Sequence, residues 1–276
     1  DPNNFSSSIE SIIKNDYLLI VDFDDHPDII TDKLKREFTF TCCHAIHTTN
    51  ENLARIIRQY NPEVYVFNNN IISTNSTKLC NDNKIKVFFG ALNRENDWRP
   101  WIDTLNEVFN NDSKKWYFEV IHDKEFYNEL NLPKEQKSFT PICEYKKYLE
   151  IMSTCDVSFM PLENTLFNKC KSDLKAVQAA SYSLSILSTP VVYSTNFINQ
   201  KTAAFFSSKK ELVQILNSWS QNPDLMRQIG RNAQKYVSKN RLYANQIDKK
   251  IECFVDLWER RETISEQLLK RIEKFK

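Results

Sequence analysis

The amino-acid sequence predicts an α/β protein of two doubly wound, parallel-sheet units, the first incomplete, closed by a C-terminal helix. Two observations carry this. Short β-branched apolar runs alternate with segments of helical periodicity over residues 17–67 and again over 85–237, the pattern of strands joined by crossover helices. Between the two alternations lies a polar stretch, Asn68–Asn83, rich in Asn, Ser and Thr, which is the composition of a connection. The expected domains are residues 1–80, 81–240 and 241–276.

In the first unit, Tyr17–Phe23 (YLLIVDF) reads as a buried parallel strand, because it is a continuous apolar run ending in acids. Pro27 suits the first turn of a short helix running to Glu37. Phe40–Ile46 reads as a second strand. Thr49 is the expected cap of a helix over Asn50–Tyr60, whose Leu53, Ile56, Ile57 and Tyr60 share one face. Asn61-Pro62 stops that helix, and Val64–Phe67 reads as a third strand. Three strands in about fifty residues are half of an ordinary doubly wound domain. The beginning of this domain is therefore expected to be missing from the chain or to be supplied by another chain.

In the second unit, Ile85–Phe89, Trp116–Ile121, Ser138–Phe139, Val157–Pro161 and Ser185–Leu187 read as strands. Trp98–Phe109, Glu125–Leu130, Glu144–Ser153, Ser172–Ser183, Lys209–Trp219 and Pro223–Val237 read as helices. From Ile251 to Phe275 apolar residues keep helical spacing, and Thr263-x-x-Glu266 forms a capping box where the helix is expected to break and restart.

The composition excludes several classes. The chain has 276 residues, a net charge of +1, 41% apolar and 26% charged residues. That balance suits a globular protein and gives no basis for a nucleic-acid partner. No apolar run is long enough to span a bilayer. The two glycines, Gly90 and Gly230, exclude a Walker loop and a G-x-G-x-x-G fingerprint, so a phosphate site needs side chains and helix N-termini. Seven cysteines without a C-x-x-C pair point to a reducing cytoplasm. Cys42-Cys43-His44-x-x-His47 has no second ligand pair at finger spacing. Buried thiols and packed or surface imidazoles are expected there, not zinc.

Two stretches carry candidate chemistry. Val157–Pro161 is a strand, about ten loop residues follow, and a helix is expected from Ser172. The loop thus lies at the carboxyl end of a parallel strand, where open α/β sheets bind ligands. Ser172 is the expected cap, and Lys169, Lys171 and Lys175 crowd a helix end whose dipole is already positive. A diphosphate between them explains the crowding, and a solvated basic turn explains it equally well. The second stretch is Asp22-Phe23-Asp24-Asp25-His26, at the end of the first strand. It reads as a metal-binding Asp-x-Asp, as a phosphatase nucleophile motif, or as acids capping a turn before Pro27.

The second unit resembles the nucleotide-sugar domain of the GT-B glycosyltransferases, specifically the retaining group called family four (glycosyl transferases group 1). Phe167-Asn168, Lys171-Ser172, Leu174-Lys175, Ala179 and Pro190-Val191-Val192 match its central pattern. Phe88-Phe89-Gly90 through Arg94 and Asp97-Trp98 resemble its first strand and turn, Asp156–Pro161 its next motif strand, and Arg227, Gly230, Asn232 and Ala233 its late helix. The resemblance covers about residues 85–240. It implies a GT-B fold of two Rossmann-like domains. It also implies transfer of a sugar, with retention, from a nucleotide diphosphate sugar to a glycan or lipid-linked saccharide, with no cofactor and no metal. On the resemblance, Arg94 and a second basic residue face the leaving diphosphate, the second being Arg99, Lys171 or Lys175, and Gly90, Asn168, Ser172 and Gln178 line the donor site. Asp24, Asp25 and His26 are acceptor-side candidates. Gln178 departs from the family, which has at that place a Glu that holds the donor ribose; Gln keeps an acceptor there but no charge. A catalytically degenerate GT-B-like binding or scaffold domain is the non-enzyme alternative. A haloacid-dehalogenase-type phosphatase, suggested by LLIVDFDD, is the other enzyme. A cytoplasmic location follows, with peripheral attachment at the inner face of a membrane as its variant.

Overall fold

The computed structural model describes residues 2–75 and 84–275. Residues 76–83 of the expected connection, Cys80 among them, lie outside the described residues. Along the chain run α1 (Pro2–Lys14), β1 (Ile20–Asp22), α2 (Lys33–Thr41), β2 (Ala45–Thr48), α3 (Glu51–Ile57), β3 (Val64–Val66) and β4 (Ile85–Gly90). Next come α4 (Glu95–Asn111), β5 (Trp116–Ile121), α5 (Lys124–Glu129), β6 (Lys137–Thr140), α6 (Tyr145–Met152), β7 (Val157–Phe159) and α7 (Leu166–Lys169). The last are α8 (Leu174–Ser181), β8 (Ser185–Ser188), β9 (Ala204–Phe205), α9 (Lys209–Gln221), α10 (Pro223–Asn240), α11 (Ile247–Glu259) and α12 (Arg261–Ile272). Among the described residues no helix is long and apolar enough to cross a membrane.

The chain forms two compact units. Unit 1 comprises Asp1–Asn69, Lys169–Ser172 and Tyr243–Lys276, and unit 2 comprises Asn70–Asn168 and Asp173–Leu242. The break between Asn69 and Asn70 falls inside the polar stretch. The C-terminal helices, expected as a separate extension, belong to unit 1.

In unit 1, β1, β2 and β3 form a parallel sheet with β2 in the middle. Successive β2 residues face opposite ways. Ile46 packs with Phe40, Leu53, Ala54 and Ile57 of α2 and α3. Ala45 packs with Cys253, Leu257 and Ile264 of α11 and α12. The C-terminal helices therefore cover a sheet face that would otherwise stand open, and parallel sheets need both faces covered.

Unit 2 is a six-stranded, all-parallel sheet in the order β6-β5-β4-β7-β8-β9. Alternate β4 side chains feed two cores. Val87 and Phe89 meet Trp98, Ile102, Leu105, Phe126 and Leu216 on one face; Phe88 meets Met152, Ala176, Ala179, Ala180 and Val237 on the other. The strand order reverses between β4 and β7, and the crevice outside the carboxyl ends at such a point is where this class of sheet takes ligands.

Several expectations are corrected. Phe40 and Thr41 finish α2 instead of opening a strand. The run Phe38–Cys43 is apolar enough for either element, and the Asp32 carboxylate accepts from the Lys35 N–H at 3.0 Å to start a helix that carries Phe40 into the core. Asn50, not Thr49, caps α3, accepting from the Leu53 N–H at 2.9 Å. Asp173, not Ser172, precedes α8. The C-terminal helix breaks at Arg260 and not at Thr263. The sequence reading also missed α1, the single turn α7 and the two-residue β9.

Candidate functional site

In unit 2 the segments that follow β4 and β7 lie at the carboxyl ends of the two strands between which the sheet order reverses. Gly90 ends β4. Its backbone has no positive φ, so space is what requires glycine: a Cβ would lie 2.7 Å from the Tyr148 ring and 2.9 Å from the Phe88 ring. Lys175, in the first turn of α8, donates from Nζ to the Gly90 carbonyl at 2.9 Å. The chain then turns through Asn93, whose φ of 52° is left-handed, a conformation Asn tolerates better than most residues. Arg94 follows immediately before α4.

Arg94 is held by two partners. Its Nη1 donates to Asp97 Oδ2 at 3.1 Å and to Asn168 Oδ1 at 3.1 Å. The other Asp97 oxygen accepts from the Glu163 backbone N–H at 2.7 Å and from Asn168 Nδ2 at 2.8 Å. Asn168 Nδ2 also donates to the Glu163 carbonyl at 3.0 Å. Asp97 and Asn168 are buried, while the Arg94 side chain keeps 21% of its surface open. Asp97 lies within the resemblance but is not among the site residues expected from the sequence. Its signal was there: an acid three residues into a helix that begins at a strand's carboxyl end.

The other predicted residues of unit 2 separate. Arg99 leaves this cluster: its guanidinium pairs with Glu125 at 2.5 Å and lies over the Trp98 ring, about half exposed. Gln178 is buried on α8 and donates from Nε2 to the Tyr145 hydroxyl at 2.6 Å. Asp173 turns its carboxylate away from the α8 N–H groups. It accepts from Arg241 Nη1 at 2.6 Å, from Arg241 Nη2 at 2.7 Å and from Asn196 Nδ2 at 2.7 Å. Burial works against the Arg241 charge, and the Asp173 hydrogen bonds and field outweigh it, so its pKa rises.

Lys171 and Ser172 lie in the short segment that belongs to unit 1. Asn50 Nδ2 fixes that segment, donating to the Cys170 carbonyl at 2.9 Å and the Lys171 carbonyl at 3.0 Å while its oxygen caps α3. The Lys171 ammonium pairs with Asp25 Oδ1 at 3.3 Å. Asp25 also accepts from the His26 N–H at 2.9 Å. Lys171 and Asp25 are thus brought together, as two ends of one ion pair. His26 is buried, and its Nδ1 accepts from the Asp28 N–H at 3.2 Å to begin a single helical turn at Pro27. Asp24 is exposed. Burial first, then the Asp25 charge, pushes the Cys170 thiol up to about 11.

The Cys42–His47 stretch is structural. His44 Nδ1 accepts from the Leu19 N–H at 2.8 Å, which leaves the proton on Nε2, 3.2 Å from Ser265 Oγ. Burial, with Arg271 adding, lowers its pKa to about 4. His47 packs edge-on against Phe67 and beside Cys253. Burial raises the Cys42 and Cys43 thiols to about 11 and about 12. Among the described residues no group of three His, Cys, Asp or Glu side chains is placed to hold a metal.

Comparison with known proteins gives this geometry its family. A family model described as glycosyl transferase-like matches residues 101–252, more than half of the chain. No curated protein matches the sequence. Among solved structures, TarM of S. aureus superposes with a TM-score of 0.66 at 10% identity, over 85% of this chain and 50% of its own. HepE of Anabaena, solved with UDP and glucose, gives 0.64 at 12% identity, over 93% of this chain and 76% of its own. Sucrose-phosphate synthase of Thermosynechococcus elongatus gives 0.65 at 12% identity, over 88% and 68%. The chain therefore spans about half the length of TarM, and its fold is that of the GT-B glycosyltransferases. On the family match the chain belongs to the glycosyl transferase-like family.

Proposed function

We propose that this chain is the donor-handling part of a glycosyltransferase. It moves a sugar from a nucleotide diphosphate sugar to a hydroxyl of a glycan or lipid-linked saccharide, with retention at the anomeric carbon. The observation that carries the reading lies in unit 2. Arg94 lies four residues beyond the end of β4, just before α4, and the Lys175 ammonium donates to the carbonyl of the last β4 residue, so two cations serve the carboxyl end of the strand beside which the sheet order reverses. That is where a sheet of this class receives a ligand, and fixed cations there suit a leaving diphosphate. HepE, similar in fold, has been solved with UDP-glucose.

In this mechanism Arg94 and Lys175 take up the charge that develops on the departing diphosphate, the task a divalent metal performs in other transferases. The resemblance also gives Lys171 a part at the diphosphate; in unit 1 its ammonium pairs with Asp25. Asp24, Asp25 and His26 serve the acceptor side and orient the incoming hydroxyl, which lowers the entropy cost of the transfer step. Metal independence, a cytoplasmic location and peripheral attachment to a membrane are parts of the same proposal.

The test is a thermal-shift panel of nucleoside diphosphates followed by titration. A ligand at 100 times its dissociation constant adds about 2.7 kcal/mol of apparent stability. Binding should survive chelation of divalent ions. Lys171→Ala should lower the melting point only modestly, since the Asp25 side chain keeps 31% of its surface open to water, but it should weaken binding, and slow transfer by about 10²–10³ if its charge acts on the leaving group. A panel with no stabilising nucleotide would overturn the reading. One observation favours a second reading, a binding or scaffold domain without turnover: Gln178 is uncharged, and its amide N–H is committed to Tyr145. Nucleotide binding without release of nucleoside diphosphate from any donor would support it.

A further inference from the structure

We infer that Asp97 is a positioning residue that, with Asn168, aims the Arg94 guanidinium and ties the segment after β7 to the segment after β4. The inference rests on the donor-site reading above. The buried Asp97 carboxylate accepts three hydrogen bonds: from Arg94, from the Asn168 amide and from the Glu163 backbone N–H. A buried carboxylate is costly unless it is paired and hydrogen-bonded, and these three bonds meet that need. It also stands in the first turn of α4, where the helix dipole favours negative charge.

The geometry divides the work within the guanidinium. Arginine offers five N–H donors. Nη1 serves Asp97 Oδ2 and Asn168 Oδ1; among the described residues Nε and Nη2 have no hydrogen-bond partner. The two acceptors fix the plane of the fork and leave its other edge for an anion. Asn168 is fixed in turn by donating to Asp97 and to the Glu163 carbonyl, so Arg94, Asp97 and Asn168 form a closed triangle of contacts. Asp97 and Asn168 are 5% exposed each. They act through Arg94 and not by touching the donor, which gives Asn168 a role different from the ligand contact expected from the sequence.

The experiment compares the full chain with Asp97→Asn, Arg94→Ala, the double variant and Asn168→Ala. The probes are UDP, GDP, CDP and ADP, and the nucleoside of whichever diphosphate binds the parent. In Asp97→Asn the affinity for the diphosphate should fall by on the order of tenfold, the scale of one charge-assisted hydrogen bond, while nucleoside affinity stays constant. A merely structural role would lower both. The double variant should bind no worse than Arg94→Ala, because residues acting through one group are not additive. If Asp97→Asn melts before it can be titrated, Asn168→Ala, which removes the other acceptor of the same nitrogen, should show the same diphosphate-selective loss at smaller size. Additive losses, or equal losses for diphosphate and nucleoside, overturn the inference. So does diphosphate binding lost in Arg94→Ala but unchanged in Asp97→Asn, which leaves the donor-site reading standing. No binding by the parent overturns both.

Discussion

Unit 1 buries His26, His44, His47, Thr48 and Asn61, whereas unit 2 buries Asp97, Asp123, Asp173 and Arg241. The first set can stay neutral, although the Thr48 hydroxyl is buried without a hydrogen-bond partner; the second set carries formal charge into the interior. The three buried acids of unit 2 share a location. Asp97 follows β4, Asp123 follows β5 and Asp173 follows β7, all beyond strand carboxyl ends. Burying charge is unfavourable unless the geometry supports it, so its confinement to the side where a parallel sheet takes ligands marks that side as the working one. In unit 1 Asp22, the last residue of β1, and Asp24 just beyond it stay exposed, and Asp25 is half-buried.

The sharpest way to break this comparison is to strip a buried charge of its partner. The Arg241 and Asp173 side chains are 2% and 5% exposed and meet through two parallel hydrogen bonds. Arg241→Ala should destabilise the protein by about 3–5 kcal/mol, because it leaves an uncompensated carboxylate in the interior. Arg241→Ala with Asp173→Leu should recover part of the loss. Denaturant unfolding of the three proteins measures it. A single-variant cost below about 1 kcal/mol, the level of exposed pairs, would mean that the buried pair behaves like a surface one and would remove the basis of the comparison.

Next in size is a steric test of unit 2. A Cβ on Gly230 would lie 2.0 Å from the Ser183 carbonyl oxygen. The obstacle is backbone, and Ser183 already holds a left-handed φ of 62°. Gly230→Ala should cost about 3 kcal/mol, at the upper end of overpacking changes. Gly90→Ala should cost less stability, because the atoms in its way are ring carbons of Tyr148 and Phe88. A smaller thermal shift for Gly230→Ala than for Gly90→Ala would contradict the packing described between α10 and the turn before β8.

How much of this was legible in the sequence differs by region for physical reasons. In unit 2 the strands from Ile85 to Ser188 sit close to their expected places, because each apolar run is bounded by polar turns and separated by helical periodicity. In unit 1 the strand expected at Phe40 is the end of a helix. A short apolar run does not distinguish a buried helix end from a buried strand; the Asp32 cap decides it. Arg94 is a candidate on the resemblance alone. Asp97 was not ranked, because a lone acid at a helix start reads as a dipole partner until Asn168, 71 residues away, is seen to donate to it. Ser172 reads as the cap of α8, yet Asp173 precedes that helix with its side chain spent on Arg241. Residue type cannot reveal a long-range partner of that kind.

The pH response should sharpen the contrast. His44 is held at about 4 by burial, with Arg271 adding, against an ordinary 6.5, and burial also lowers His47. A depressed folded pKa means that the unfolded chain binds the proton first. The stability from His44 is then fully present above about pH 6.5 and is lost as the pH falls toward 4. The loss should be of order 2 kcal/mol, and it belongs to unit 1, since unit 2 buries no histidine among the described residues. Hydrogen exchange at pH 7 and pH 5, corrected for intrinsic rate, should show β2 amides losing protection while β4 amides keep theirs. Equal losses in both sheets would place the acid sensitivity elsewhere.

The smallest effect is expected where unit 1 repeats the chemistry of the Arg241–Asp173 pair at its surface. Arg260 donates to Glu63 through Nη1 and Nη2, both at 2.9 Å, with Tyr65 at 2.7 Å and Asp256 at 2.7 Å around the same guanidinium. The hydrogen bond from Arg260 holds the Glu63 carboxyl below its usual range, with burial opposing it. The geometry is as good as that of the buried pair, but the side chains are 36% and 15% exposed. Water then solvates either partner when the other is removed, and the desolvation penalty that makes the buried pair sensitive is mostly absent. Arg260→Ala should cost no more than about 1 kcal/mol. The cost should shrink further as the pH falls through the lowered pKa of Glu63, because the protonated acid no longer needs the cation. Measuring Arg260→Ala and Arg241→Ala side by side at neutral and acidic pH isolates burial as the variable, since both pairs are bidentate. Equal losses would mean that hydrogen-bond geometry, not exclusion of water, sets the strength of ion pairs in this protein.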